Sequence, residues 1–306
     1  MNLAPVILFV YNRPDHTRQM VEALQKNELA KESDLFIFSD APKKHEIAEA
    51  VRKVRQYIHT INGFRSVSIV ERDNNLGLAN SVIDGVTRLC DKHGRVIVLE
   101  DDHITSPYFL RFMNEALEHY QNEPRVMQVS GYMFPLTLET DKDTVFLRLT
   151  TSWGWGIWKR AWDKLDPFAT RHKEIEKDRK LLYRFNLNGS YPYYKMLEAQ
   201  LNGDIDSWAI LFHYSVFIEN GIVLHPKQSL ISNIGFDDGG THCGIDILQA
   251  QKITDFKVVK YPDKVAENHK AKTQVFKYLF LKDRRKNTVN TIRYYIKNLL
   301  KTNVKF

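Results

Sequence analysis

Arg95-Val96-Ile97-Val98-Leu99-Glu100-Asp101-Asp102 is the stretch that decides how this chain is read. An apolar run rich in β-branched residues marks a strand buried on both faces, as in a parallel sheet. The three acids follow at its carboxyl end, the edge at which open α/β sheets bind ligands. Adjacent carboxylates are costly to leave without a counter-charge, so a divalent cation is their natural partner. Asp102 lies furthest beyond the strand and is the expected direct ligand. A solvated acidic turn is the plain alternative. The strand before the acids and the lack of nearby basic residues favour a site.

Outward from this strand, the first half of the chain alternates strand and helix. Strands are expected at Pro5–Val10, Asp34–Ser39 and Ser66–Arg72, before Arg95–Leu99. Helices are expected from Pro14 to about Lys26, with Asn12 as a cap, and over His45–Ile61. Two more are expected over about Leu78–Leu89 and Pro107–Tyr120. In the second helix Ile47, Val51, Val54, Ile58 and Ile61 share one face. Repeated βα units imply an α/β fold with a doubly wound, mostly parallel sheet flanked by helices. After a strand at Val126–Ser130 the pattern changes. A Trp-rich segment comes first, then a polar helical stretch from about Lys173 to Asn202, then a helix-like run Ser207–Glu219. A short strand Ile222–His225 and a Gly/Asp-rich loop, Ser232–Gly244, follow. No internal repeat is evident.

The chain has 306 residues, enough for one large domain or two small ones. With 43% hydrophobic and 12% aromatic residues it is globular and not disordered. No signal peptide is visible, and no segment approaches the roughly 18 apolar residues that span a bilayer. Two cysteines, Cys90 and Cys243, give neither a disulfide framework nor zinc spacing. A cytoplasmic setting is the default. The net charge of +7 is uneven: residues 268–306 hold 11 Lys+Arg and one acid, leaving −3 for the remaining 267 residues.

A βα half ending in an acidic motif resembles the nucleotide-binding half of a GT-A glycosyltransferase. The Glu-Asp-Asp form is similar to the N-acetylglucosaminyltransferase I type and to bacterial family-2-like sugar transferases. The resemblance runs from about Pro5 to Cys243 and rests on short blocks. In Phe9-Val10-Tyr11-Asn12-Arg13-Pro14 it implies that the end of the first strand, at Val10, meets the nucleotide, with Arg13 in contact with it. In Phe38-Ser39-Asp40 it places Asp40 against a uracil ring, so UDP is the implied nucleotide. In Asn75-Leu76-Gly77 it implies a helix start lining the nucleotide-sugar site, with Gly77 permitting close backbone approach. This block departs from the family, since Val82-Ile83 replaces an Arg-Asn pair often found there. Glu100 and Asp101 are assigned to the donor side of the metal motif.

Downstream, Thr151-Ser152-Trp153-Gly154-Trp155-Gly156-Ile157-Trp158 resembles the Trp-Gly-Trp-Gly acceptor-side motif of galactosyltransferases, without the acids that follow it there. Trp153 and Trp155 are the implied acceptor contacts, because a Trp face stacks on a sugar. Trp158 and Trp162 are expected in the core. In Gly203-Asp204-Ile205-Asp206-Ser207-Trp208 the resemblance makes Asp206 the base that takes the proton of the attacking acceptor hydroxyl. Asp204 is the alternative, and an N-cap is the structural reading of Asp206. The block from Ser232 to Cys243 resembles a loop of bacterial sugar transferases. Asp237, Gly239 and His242 would lie in a lid that closes over the donor, with His242 near the diphosphate or metal.

In the tail Val289, Ile292, Ile296, Leu299 and Leu300 recur at helical spacing, and Arg293, Lys297 and Lys301 share another face. A basic amphipathic helix of this kind fits an anionic membrane surface, giving peripheral attachment at the inner face. Packing on the protein body is the alternative. Nucleic acid is the competing partner for a basic tail, but no recognition motif is present.

These readings give three segments: 1–130 as the nucleotide-sugar half, 131–262 as the acceptor and catalytic half, and 263–306 as the basic tail. The expected activity is an inverting transfer from a nucleotide-sugar donor to a glycan or lipid-linked acceptor, dependent on Mn²⁺ or Mg²⁺, as in surface polysaccharide synthesis. A sugar nucleotidyltransferase shares this architecture but needs a basic Gly-rich loop after the first strand, which Asn12-Arg13-Pro14-Asp15 is not. A non-catalytic nucleotide- or carbohydrate-binding relative is the other alternative.

Overall fold

A computed structural model of the chain describes residues 2–236 and 253–282. The first half runs β1 (Val6–Val10), α1 (Pro14–Gln25), β2 (Asp34–Ser39), α2 (Ala48–Ile58), β3 (Ser66–Glu71), α3 (Leu78–His93) and β4 (Arg95–Glu100). A short β5 (His103–Thr105) and α4 (Phe109–His119) lead to β6 (Val126–Ser130), β7 (Thr144–Leu147) and β8 (Trp155–Trp158). Then come α5 (Lys159–Trp162), α6 (His172–Lys177), α7 (Arg179–Phe185), α8 (Tyr193–Leu201) and α9 (Trp208–Ile218). The strands β9 (Ile222–Pro226) and β10 (Ile231–Asn233) follow, and residues 269–282 are helical.

Local chemistry explains these boundaries. Pro14 opens α1 with a φ already fixed for a helix. Thr17, Met20, Val21 and Leu24 are its buried face. The cap residue is Arg13, with no side-chain capping bond, and not Asn12. Gly77 precedes α3 at φ +76°, and Gly94 closes it at φ +76° with its N–H donating to Cys90.

Among the described residues, eight strands form one sheet in the order β3-β2-β1-β4-β8-β6-β9-β7. β1 to β4 are mutually parallel along this order. β8 runs antiparallel to both β4 and β6, β9 is parallel to β6, and β7 closes the edge antiparallel. Six strands therefore share one direction and two oppose it. This is the α/β class expected, a mixed, mostly parallel sheet flanked by helices. A separate antiparallel ribbon pairs β5 with β10, His103 opposite Asn233.

β8 is the main departure from the sequence reading. Its residues alternate between the sheet's two faces. Trp158 sits against α4, its Nε1–H donating to Leu117 O at 2.9 Å. Trp155 lies on the other face, 0% exposed, stacked on Trp208 with ring centroids 4.8 Å apart. Trp162 and Phe212 complete that cluster. The acceptor assignment of Trp155 is thus corrected: a ring enclosed on this strand face presents no surface to a sugar. Trp155→Ala should lower unfolding free energy by about 3–5 kcal/mol, the cost of emptying such a site. Denaturant unfolding measures it; unchanged stability with a raised acceptor KM would restore the acceptor role.

The helix over 269–282 packs Ala271, Val275, Phe276 and Leu279 against Met133, Leu138, Val145 and Leu147. The first part of the basic tail is thus anchored on the body. Residues 283–306, which carry the amphipathic pattern, lie outside the described residues.

Candidate active site

Strand register sets the site. Phe9 pairs with Glu100 and Val10 with Ser39, so Tyr11 follows beside Asp40, and Asp101 leaves β4 level with Val10, all at the carboxyl edge of β1, β2 and β4. The Tyr11 N–H donates to Asp101 Oδ2 at 3.3 Å. Val10 is buried, and its carbonyl accepts from the Asp40 N–H at 3.4 Å. Arg13, just beyond β1, brings its guanidinium to 3.6 Å from Asp102 Oδ2, and both side chains are under one-fifth exposed, at 16% and 17%.

The β5–β10 ribbon closes over these groups. The Ile234 N–H donates to the Asp102 carbonyl at 2.9 Å. Gly235 then passes so close that a Cβ there would overlap Asp102 Oδ2 and lie 3.0 Å from Arg13 Nη1. Gly235→Ala should therefore turn the Asp102 carboxylate and weaken Mn²⁺ binding by about 10–100-fold, the range seen when a ligand's support is lost. The melting temperature should change little. Mn²⁺ titration and thermal unfolding together check this; undiminished binding would show that Asp102 is not the ligand.

Burial and the neighbouring Asp102 push Asp101 up to about 7, partly offset by Arg13 and the Tyr11 N–H. Burial, Asp102 and Asp101 likewise raise Glu100 well above the ordinary range. A carboxyl whose folded pKa is raised holds its proton longer when folded than when unfolded. Its contribution to stability therefore falls as pH rises from about 4 to about 7. In EDTA, wild type should lose stability relative to Asp101→Asn across that window, and Mn²⁺ should reverse the loss. Parallel melting curves of the two proteins against pH test the sign.

Glu100, Asp102 and His103 each bring a potential ligand atom within 4.8 Å of the others. Asp102 Oδ1 and His103 Nε2 are buried and, among the described residues, have no hydrogen-bond partner. Clustered acids that resist ionisation suit a hard divalent cation, which offsets their mutual repulsion. The residues present therefore fit a Mg²⁺ or Mn²⁺ site, with Glu100 and Asp102 as the oxygen donors.

A second group forms at the start of α3. Asp40 accepts N–H bonds from Leu76 at 3.0 Å and Gly77 at 3.0 Å, and from its neighbour Ala41 at 2.9 Å. Both carboxylate oxygens thus tie β2 to the loop before α3. Asp40 holds backbone at the carboxyl edge of the sheet. Gly77 adjoins Asp206, whose Oδ2 lies 3.0 Å from where a Gly77 Cβ would stand. The third and fifth blocks, 129 residues apart, therefore meet. Asp206 is exposed and precedes the α9 cap, Ser207, so the N-cap reading does not hold. Among the described residues its carboxylate has no hydrogen-bond or ion-pair partner. Asp204 is exposed in the same loop.

Trp153 is partly buried, edge-on to Tyr132 at 4.5 Å and to Phe236 at 5.5 Å. Phe236 directly follows Gly235, so Trp153 borders the ribbon over Asp102. Asp237, Gly239 and His242 lie outside the described residues. Sequence reasoning missed His103 and Gly235. His103 is the next residue after the acids, but a three-residue strand leaves no periodicity to reveal its buried side.

No protein-family model matches the chain, and no curated protein matches it in sequence. Solved structures similar to it include the 1–349 fragment of TarS from S. aureus, at 9% identity and TM-score 0.42, over 76% of this chain and 61% of that one. A mannosyltransferase, PcManGT from Pyrobaculum calidifontis, in complex with GDP-Man and Mn²⁺, is similar at 12% identity and TM-score 0.38, over 70% and 76%. Mouse xyloside xylosyltransferase 1 is similar at 9% and 0.34, over 70% and 80%. The chain thus spans about three fifths of the TarS fragment. Two of these three neighbours are named as sugar transferases, a mannosyltransferase and a xylosyltransferase. No described helix is long and apolar enough to cross a membrane.

Proposed function

We propose that the chain is a divalent-cation-dependent glycosyltransferase that moves a sugar from a nucleotide-diphosphate donor to an acceptor hydroxyl with inversion. The observation that carries this reading is the cluster of Glu100, Asp101 and Asp102 at the carboxyl end of β4, with Arg13 on one side and Asp206 set at the start of α3. A bound Mg²⁺ or Mn²⁺ would neutralise charge on the leaving diphosphate. Glu100 and Asp102 would hold it, and Arg13 adds a fixed positive charge for the same phosphates.

Asp206 takes the proton of the acceptor hydroxyl as its oxygen bonds to the anomeric carbon. The bond from that carbon to the diphosphate oxygen breaks, and the nucleoside diphosphate leaves. Exposure suits Asp206 to this work, because a base must meet an incoming acceptor. Trp153 would bound the acceptor side. In this reading residues 1–130 hold the donor and residues 131–262 the acceptor. A glycan or lipid-linked acceptor at an anionic membrane surface would make use of the tail's charge.

The direct assay is release of nucleoside diphosphate from a panel of nucleotide sugars, with Mn²⁺ and with EDTA. Metal-dependent release supports transfer chemistry. A donor bound firmly yet never cleaved, with acceptors present, would identify a binding protein instead.

A further inference from the structure

We propose that His103 is a positioning residue that donates its Nε2–H to Asp102 Oδ1 and fixes that carboxylate's plane, and is not itself a cation ligand. This rests on reading the acidic cluster as a cation and diphosphate site, and it assigns the side chain that keeps the site in order.

The ring's other nitrogen decides the matter. His103 Nδ1 lies 3.0 Å from the Glu100 N–H. A backbone amide can only donate, so Nδ1 must present its lone pair. An imidazolium would set an Nδ1–H against that N–H, so the ring is neutral and its one proton sits on Nε2. The ring cannot turn away: it is 0% exposed, on β5, opposite Asn233 of β10. Nε2 stands 3.5 Å from Asp102 Oδ1, and among the described residues each of these two buried atoms lacks any other partner. Leaving such a pair unmade is costly, and a shift of a few tenths of an ångström completes it.

A metal-bound histidine offers one nitrogen's lone pair and usually donates from the other to a carbonyl or carboxylate. His103 has the reverse arrangement, with its lone pair engaged by an amide and its proton facing the carboxylate. Oδ1 is closed from solvent, so a soluble ligand meets Asp102 at Oδ2, beside Arg13 and Gly235. With Oδ1 held, the carboxylate cannot rotate Oδ2 out of that position.

Two measurements on the full chain test this. Long-range ¹H–¹⁵N correlation of the metal-free protein, with the His103 signals assigned by their loss in His103→Gln, should show a protonated Nε2 and an unprotonated Nδ1. A proton on Nδ1, or an imidazolium, would overturn the proposal. Mn²⁺ affinity, read by electron paramagnetic resonance of the free ion, should stay within a few-fold in His103→Gln, which restores an N–H donor. It should fall about 10–100-fold in His103→Leu. Equal losses in both variants would make His103 a ligand and overturn the proposal. A wild-type chain that takes up no Mn²⁺ would refute the cation reading, and this inference with it. Uptake with the wrong tautomer refutes the inference alone.

Discussion

Asp102→Asn should abolish the effect of Mn²⁺ on donor binding and lower transfer by about 10²–10³-fold, the loss expected when one preorganised charge contact to the leaving group is removed. The fold should survive. Asp102 is one of three adjacent acids, and its charge raises the pKa of both Glu100 and Asp101. Removing it relieves that repulsion, so the metal-free variant should melt no lower than wild type. The comparison separates a ligand from a structural acid. A structural Asp102, paired with Arg13 at 3.6 Å, would show its loss as a lower melting temperature in EDTA. Melting curves in EDTA and Mn²⁺, with initial rates of transfer, give both readings.

Asp206→Asn should reduce kcat by about 10²–10⁴-fold, the usual contribution of a positioned general base, while leaving donor KM and stability near wild type. Asp206 is exposed and takes no part in the described hydrogen-bond network, so no packing or capping loss should accompany the change. Its place against Gly77 sets it beside the loop that Asp40 ties down, and the carboxylate is held near the donor side without being buried. Asp204→Asn serves as the control from the same loop. If Asp204→Asn takes the larger loss, the base has been misassigned by two positions.

The parallel half of the fold was legible because its signals are local. Val96–Leu99 is apolar throughout, and β2 at Asp34–Ser39 has the bounds expected. The helices α1 and α3 begin at a proline and after a glycine whose backbone roles are specific. The antiparallel half was less legible. β8 is four residues long, and its aromatic run reads equally as core or as sugar platform. Which one holds depends on α9, some fifty residues later in the chain, whose Trp208 and Phe212 cover Trp155. The same holds for Asp40: a carboxylate at a strand end suits a ligand, and only the distant Leu76 and Gly77 amides show how it is used. The acids themselves were found from sequence. Their support by His103 and Gly235 was not, because it arises from pairing β5 with β10 across more than a hundred residues.

The central claim is that Glu100, Asp101 and Asp102 form a cation-dependent site for a nucleotide-diphosphate sugar. A thermal-shift panel of nucleotide sugars, each with Mn²⁺ and with EDTA, on wild type and Asp102→Asn, tests it most directly. One donor at about a hundred times its Kd should raise the wild-type melting temperature by roughly 4 °C in Mn²⁺. It should do so neither in EDTA nor in the variant. A donor shift of the same size without Mn²⁺, or one retained by Asp102→Asn, would contradict the account.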